Sequence, residues 1–248
     1  MKKEGLCALC QQHSKLTFEH IPPKATGNRF PIKFHSLEEI IKGRDDEKIR
    51  YTSSQKGLGE HSLCEKCNNS TGSWYGEDYS NFSNSIAYML QKENIPSRTT
   101  NISFSIEFTP ILVMKQIISF FCSMNSFDFI DQSLRRFVLD KDAIDFPDNY
   151  LLASYVNNGD TAKISRDFHF LIQSETHIIK TPLSEICFYP LGFVLFKKPF
   201  FKGLDHLYCN ITDFNMLTEK NIYKLKMPVL QSTGDVPFSY SNFNWDFK

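Results

Sequence analysis

The chain has 248 residues, 41% hydrophobic and 23% charged, with 28 Lys and Arg balanced by 28 Asp and Glu. That is enough apolar sequence to bury a sizeable core and enough length for two domains. A formal net charge of zero excludes a basic arm or an acidic tail as the basis of function, so a nucleic-acid partner requires a local patch.

At the N-terminus Lys2, Lys3 and Glu4 lead directly into Cys7, with no apolar leader segment. The longest apolar stretch, Ile111 to Cys122, is interrupted by Lys115 and Gln116 and falls short of the roughly 20 residues a bilayer span needs. A cytoplasmic chain without a membrane segment is expected. Residues 5 to 21 read as a knuckle in which Cys7-Ala-Leu-Cys10 turns the chain back, and Leu16-Thr-Phe18 begins a short strand ending at Glu19-His20 before Pro22-Pro23. Residues 24 to 57 read as an insertion loop, with one helical turn at Leu37 to Ile41 and a solvated charge run from Arg44 to Arg50. Gly57 to Leu63 is a weak strand that delivers Cys64.

Beyond Asn68 the chain is helical in parts to Leu90, where Tyr79, Phe82, Ile86 and Leu90 form one apolar stripe of ordinary core. Gln91 to Thr100 reads as a linker and places the boundary between domains 1–95 and 96–248. Ile102 to Phe108 alternates as a half-buried strand, Pro110 opens a helix through about Met124, and a second helix covers Phe129 to Leu139. Strands are expected at Leu151 to Val156, Phe168 to Ile172, His177 to Lys180, Ile186 to Tyr189 and Phe193 to Phe196, with turns at Asn157 to Asp160, Pro182, Pro190 to Gly192 and Pro199. The fold class is therefore α+β: a small zinc-stabilised N-terminal domain followed by an α+β domain of mainly antiparallel strands. Most of the 23 Phe alternate with Ile and Leu, which is the pattern of core packing rather than of a base-stacking platform.

Of seven cysteines, four form two Cys-x-x-Cys pairs, Cys7/Cys10 and Cys64/Cys67, while Cys122, Cys187 and Cys209 stand alone in apolar surroundings as small buried hydrophobes. Each pair has the spacing at which one turn of backbone points both sulfurs at one ion, and two pairs complete a tetrahedral zinc site. Such a site has no open position, so its zinc is structural, and chemistry falls to the residues it brings together: Glu19, His20 and Asn68. A carboxylate and an amide oxygen suit magnesium or manganese, and an imidazole can take a proton from water. These are the parts of a one-metal phosphodiesterase. Among the other histidines, His13 is a fallback zinc ligand, His35 an exposed loop residue, and His169, His177 and His206 structural. Arg135-Arg136 reads as a solvated helix face that could touch phosphate.

Glu19-His20-Ile21-x-Pro23 followed by Leu63-Cys64-x-x-Cys67-Asn68 resembles the motif of the HNH (His-Me finger, ββα-metal) endonucleases. The resemblance covers about the first third of the chain. It implies His20 as general base, Glu19 and Asn68 as ligands of a catalytic Mg2+ or Mn2+, and Cys7, Cys10, Cys64 and Cys67 as the structural zinc set. The family's middle asparagine falls at Gly59, so its orienting role passes to His61 or to a backbone group. Glu77 is similar in position to a downstream acid of variants from bacterial defence and mobile-element proteins. The implied function is DNA cleavage, in bacterial anti-phage defence by that likeness, with residues 96–248 recognising substrate, a protein partner, an activating signal or a second copy of the chain. Two other readings use the same residues: a catalytically silent zinc-stapled adaptor or DNA-binding subunit, and a redox sensor working through the cysteine pairs.

Overall fold

The computed structural model describes residues 3–34, 51–92, 100–159, 162–173, 178–200 and 208–230. The expected helical turn at Leu37 to Ile41, the Arg44 to Arg50 charge run, most of the expected linker, and His35, His177 and His206 lie outside the described residues.

In chain order, β1 is Glu4–Leu6, β2 His13–His20, β3 Ile32–Phe34, β4 Thr52–Ser54 and β5 Gly59–Cys64, after which α1 runs over Glu65–Lys92. β6 (Asn101–Phe108), α2 (Pro110–Met124) and α3 (Gln132–Leu139) follow. The remaining strands are β7 (Tyr150–Asn157), β8 (Lys163–Gln173), β9 (Ile178–Phe188), β10 (Leu191–Lys197), β11 (Cys209–Asn210) and β12 (Asn221–Leu230). The fold is mixed α+β with mostly antiparallel sheets: a three-stranded sheet β1-β2-β5, a two-stranded β3-β4, and a larger sheet ordered β6-β12-β7-β10-β9-β8 with β11 against β7. Only β12 with β7 pairs in parallel among the described strands.

α1 is one continuous helix, and its inner stripe, Tyr75, Tyr79, Phe82, Ile86 and Leu90, is buried at spacings of three and four. Tyr79 meets Phe120 of α2 at 5.1 Å and Phe193 of β10 at 6.2 Å, which joins helix, helix and sheet in one apolar cluster running from Cys7 to Val229. α2 is buried nearly all round, and its two polar interruptions lie inside. Lys115 fits because its Nζ donates to the Asp140 and Lys141 carbonyls at 2.6 and 2.8 Å, just past the C-terminus of α3. In the large sheet the period-two rule sorts each strand between two cores. Leu191, Phe193 and Leu195 of β10 join the helix-side cluster, and Val194 and Phe196 join a second one with Tyr155 and Tyr208.

Several expected elements differ. The 24–57 stretch is not all loop: it holds a 3-10 turn at Lys24–Thr26 and the β3-β4 hairpin. The second helix starts later than Phe129, because Asp131 caps it by accepting from the Leu134 amide at 3.1 Å. The two strands expected around Pro182 are one strand, β9. β10 ends its pairing opposite Leu183, so Pro182 stands where β9 has lost one neighbour and a missing N–H costs no ladder bond. β12 is absent from the sequence reading altogether. Among the described residues no helix is long and apolar enough to cross a membrane.

Candidate functional site

The four paired cysteines converge from three elements. Cys7 and Cys10 lie on the turn after β1, where Gln11 takes a positive φ of 59° and its amide donates to the Cys7 carbonyl at 2.9 Å. Cys64 ends β5 and Cys67 sits in the first turn of α1. All four sulfurs lie within 4.8 Å of one another, with Cys10 Sγ to Cys64 Sγ at 3.9 Å. A tetrahedral site with bonds of about 2.3 Å sets sulfurs about 3.8 Å apart, so the cluster fits a structural metal such as zinc. The Cys64 amide donates to Cys7 Sγ at 3.3 Å. The thiolate form of Cys7 is favoured by a hydrogen bond from the Cys67 thiol and then by backbone amides, and Cys67 is correspondingly held protonated. Binding of a cation by these four sulfurs would release their remaining protons to solvent. His13 begins β2, is exposed, and is not among the clustered ligands.

The same clamp fixes a strand, its antiparallel partner and a helix. β2 pairs with β5 from Leu16 opposite Cys64 to His20 opposite Gly59, with an irregularity between Thr17 and Phe18 that leaves Ser62 without a partner. α1 starts at the residue after Cys64, so its first turn packs against β2. Asn68 Nδ2 donates to Thr17 Oγ1 at 2.9 Å and reaches the Phe18 carbonyl at 3.5 Å. Glu19, two residues from Thr17, shares that strand face. Glu19 is 6% exposed, and its carboxylate has no hydrogen-bond or ion-pair partner among the described residues. Burial alone pushes its carboxyl up to about 7. Its cross-strand neighbour Glu60 is ion-paired with Arg166 of β8, which ties the large sheet to this hairpin.

His20 ends β2 on the face of Phe18, its ring 4.8 Å from the Phe18 ring. Its Nε2 is buried with no partner. Burial, followed by the charges of Lys24 and Lys56, lowers its pKa, so the ring is neutral at pH 7. His61 lies beyond Phe18, ring to ring at 5.4 Å, with Nδ1 3.4 Å from the Leu16 carbonyl. No hydrogen bond joins His61 to His20 among the described residues; both rings pack on Phe18. Glu77 is not brought to this cluster. It is exposed on α1 nine residues after Asn68, which is about 13 Å along the helix and half a turn around it.

One residue escaped the sequence reading and another was misplaced by it. Asn28 is 2% exposed; its Nδ2 donates to the Pro22 and Leu58 carbonyls at 2.6 and 2.7 Å, and its Oδ1 accepts from the Leu58 amide at 2.7 Å. It thus ties the segment leaving His20 to the segment entering β5. Around it Gly57 has φ of 81°, and a Cβ at Gly59 would strike the Glu19 carbonyl, so no side chain fits at Gly59. Arg135 is no solvated residue: it is 4% exposed, and its Nε donates to the Ala8 carbonyl of the cysteine knuckle at 3.0 Å. Arg136, its neighbour, is exposed. The only local signal for either was a polar side chain among turn residues or on a helix. No family model, curated protein or solved structure matches this chain.

Proposed function

We propose that the chain is a metal-dependent HNH endonuclease that hydrolyses phosphodiester bonds of DNA. The supporting observation is the buried, partnerless Glu19 carboxylate on the strand whose Thr17 hydrogen-bonds Asn68 of the helix, with His20 as the next residue. A desolvated carboxylate and a neighbouring amide oxygen fit a hard divalent cation, and Glu19 and Asn68 would hold it. When bound, magnesium or manganese supplies stabilisation of the charge on the leaving oxygen.

The chain's own residues supply the rest. His20, neutral at pH 7, would offer its unpartnered Nε2 as the acceptor of a proton from the attacking water. Thr17 fixes the Asn68 amide group, leaving Oδ1 for the cation. Cys7, Cys10, Cys64 and Cys67 hold strand and helix in register and take no part in proton transfer. The test is nicking of supercoiled plasmid by zinc-loaded protein with magnesium or manganese. His20→Ala is expected to lower the rate by about 10²- to 10⁴-fold; equal rates for both proteins overturn the proposal.

A zinc-stapled DNA-binding or adaptor module with a silent site is the second reading, and Gly59 favours it, since no side chain from that position can orient His20. It predicts metal-independent DNA binding unchanged by His20→Ala, and no nicking.

A further inference from the structure

His20 is the last residue of β2 in its ladder with β5, opposite Gly59, and the ladder cannot run far past it. The Ile21 amide still donates to the Leu58 carbonyl at 3.0 Å. Pro22 and Pro23 then bring no N–H, and the Glu19 carbonyl leaves no room for a side chain at Gly59. Without another tie the two strands part here, and the His20 ring swings with the strand end.

Asn28 takes the place of the missing rungs. A primary amide has two donors and an acceptor oxygen, and all are used across the gap. Nδ2 donates to the Pro22 and Leu58 carbonyls at 2.6 and 2.7 Å, and Oδ1 accepts from the Leu58 amide at 2.7 Å. The turn before Asn28, Lys24–Thr26, is itself braced: Thr26 Oγ1 donates to the Pro23 carbonyl at 2.8 Å, and Asn84 Nδ2 of α1 donates to the Ala25 carbonyl at 3.2 Å. On the other side, Leu58 follows the segment whose Lys56 ammonium lies 5.6 Å above the Phe18 ring, and His20 packs on that same ring. The clamp therefore runs from the helix that carries Asn68, through Asn28, to both chain segments beside His20.

We infer that Asn28 is a positioning residue for His20: by bridging Pro22 to Leu58 it sets where the imidazole stands relative to α1 and Asn68. This rests on the nuclease reading of the site, and it supplies from outside the ladder the orientation that Gly59 cannot. Misplacing a reacting group by about 1 Å costs about 10²-fold in rate. Asn28→Ala is expected to lower kcat of plasmid nicking by about that factor with KM little changed, the split that marks lost geometry rather than lost substrate binding.

The test pairs this assay with NMR of the zinc-loaded full chain without magnesium, reading cross-relaxation between the His20 and Phe18 ring protons, whose ring centres lie 4.8 Å apart. Tyr75→Phe, which loses a buried hydrogen bond to the Val138 carbonyl, controls for general loosening. The ring contact is expected in the wild type and in Tyr75→Phe, and is expected to be lost in Asn28→Ala. Asn28→Ser, which retains a hydroxyl, is expected to weaken the contact and decides the matter if Asn28→Ala does not fold. A contact kept in full by the folded Asn28 variants, or lost equally in Tyr75→Phe, overturns the inference. Nicking by the wild type at a kcat matched by Asn28→Ala also overturns it and leaves the nuclease reading standing. A ring contact that depends on Asn28 in a protein that does not nick sinks the nuclease reading alone.

Discussion

Asn28 is the side chain on which the shape of the His20 loop depends, and its removal has a calculable cost. Asn28→Ala breaks three buried hydrogen bonds of 2.6 to 2.7 Å. The Leu58 carbonyl keeps a partner in the Ile21 amide at 3.0 Å, so two groups, the Leu58 amide and the Pro22 carbonyl, are left orphaned. At about 1–3 kcal/mol for each, the loss is about 2–6 kcal/mol. For a chain of this size that lowers the melting temperature by about 4–24 °C. Asn28→Asp is the sharper probe, because it keeps the shape while turning a donor into an acceptor facing two carbonyl oxygens. Its carboxyl is held above the ordinary carboxylate range in the folded state, so its stability is lost as pH rises, while the cost of Asn28→Ala is flat with pH. Thermal and urea unfolding of the zinc-loaded proteins read both effects, and zinc content is expected to stay unchanged. Two variants within about 0.5 kcal/mol of the wild type, or an Asp variant no worse at neutral than at acid pH, would refute the reasoning.

Glu19 carries a second pH signature in protein free of magnesium. Its carboxyl is raised from the ordinary 4.5 to about 7 by burial, so its contribution is fully present below pH 4.5 and lost as pH rises through about 7. The gap corresponds to about 3 kcal/mol, so Glu19→Gln is expected to be more stable than the wild type by up to that amount at alkaline pH, with the difference vanishing in acid. Added magnesium is expected to restore the wild type but not the Gln variant; parallel unfolding curves across the pH range would count against the assignment. Cys64→Ser is expected to lose bound zinc and melt earlier, with Cys122→Ser as the control that keeps the ion; metal analysis showing equal zinc in both refutes the four-cysteine site. Arg135→Ala removes a charged hydrogen bond to the knuckle, at a cost of about 1.5–3 kcal/mol, whereas exposed Arg136→Ala is expected to stay within about 0.5 kcal/mol. Equal urea midpoints for the two arginine variants would contradict that placement.

Features written in short-range pattern were legible without the fold. The two Cys-x-x-Cys spacings name the cluster that brings four sulfurs within 4.8 Å. The stripe of α1, the start of α2 at Pro110 and the alternation of β6 emerge where their periodicity places them. Each rests on interactions within a few residues, whose geometry a helix or strand repeat fixes locally.

What the tertiary structure alone decided joins residues far apart in sequence. Asn28 meets Leu58 across 30 positions and Arg135 meets Ala8 across 127, and neither partner leaves a mark near the other in the chain. Pro182 continues a strand because β10 stops beside it, and Glu77 is carried away from Asn68 because α1 does not break. The desolvation that raises Glu19 and leaves its carboxylate partnerless is a property of the closed hairpin–helix junction. Sequence by itself determined which side chains are present and their local repeats. Burial and long-range hydrogen bonding, which depend on the whole chain closing on itself, decided which of them share a site.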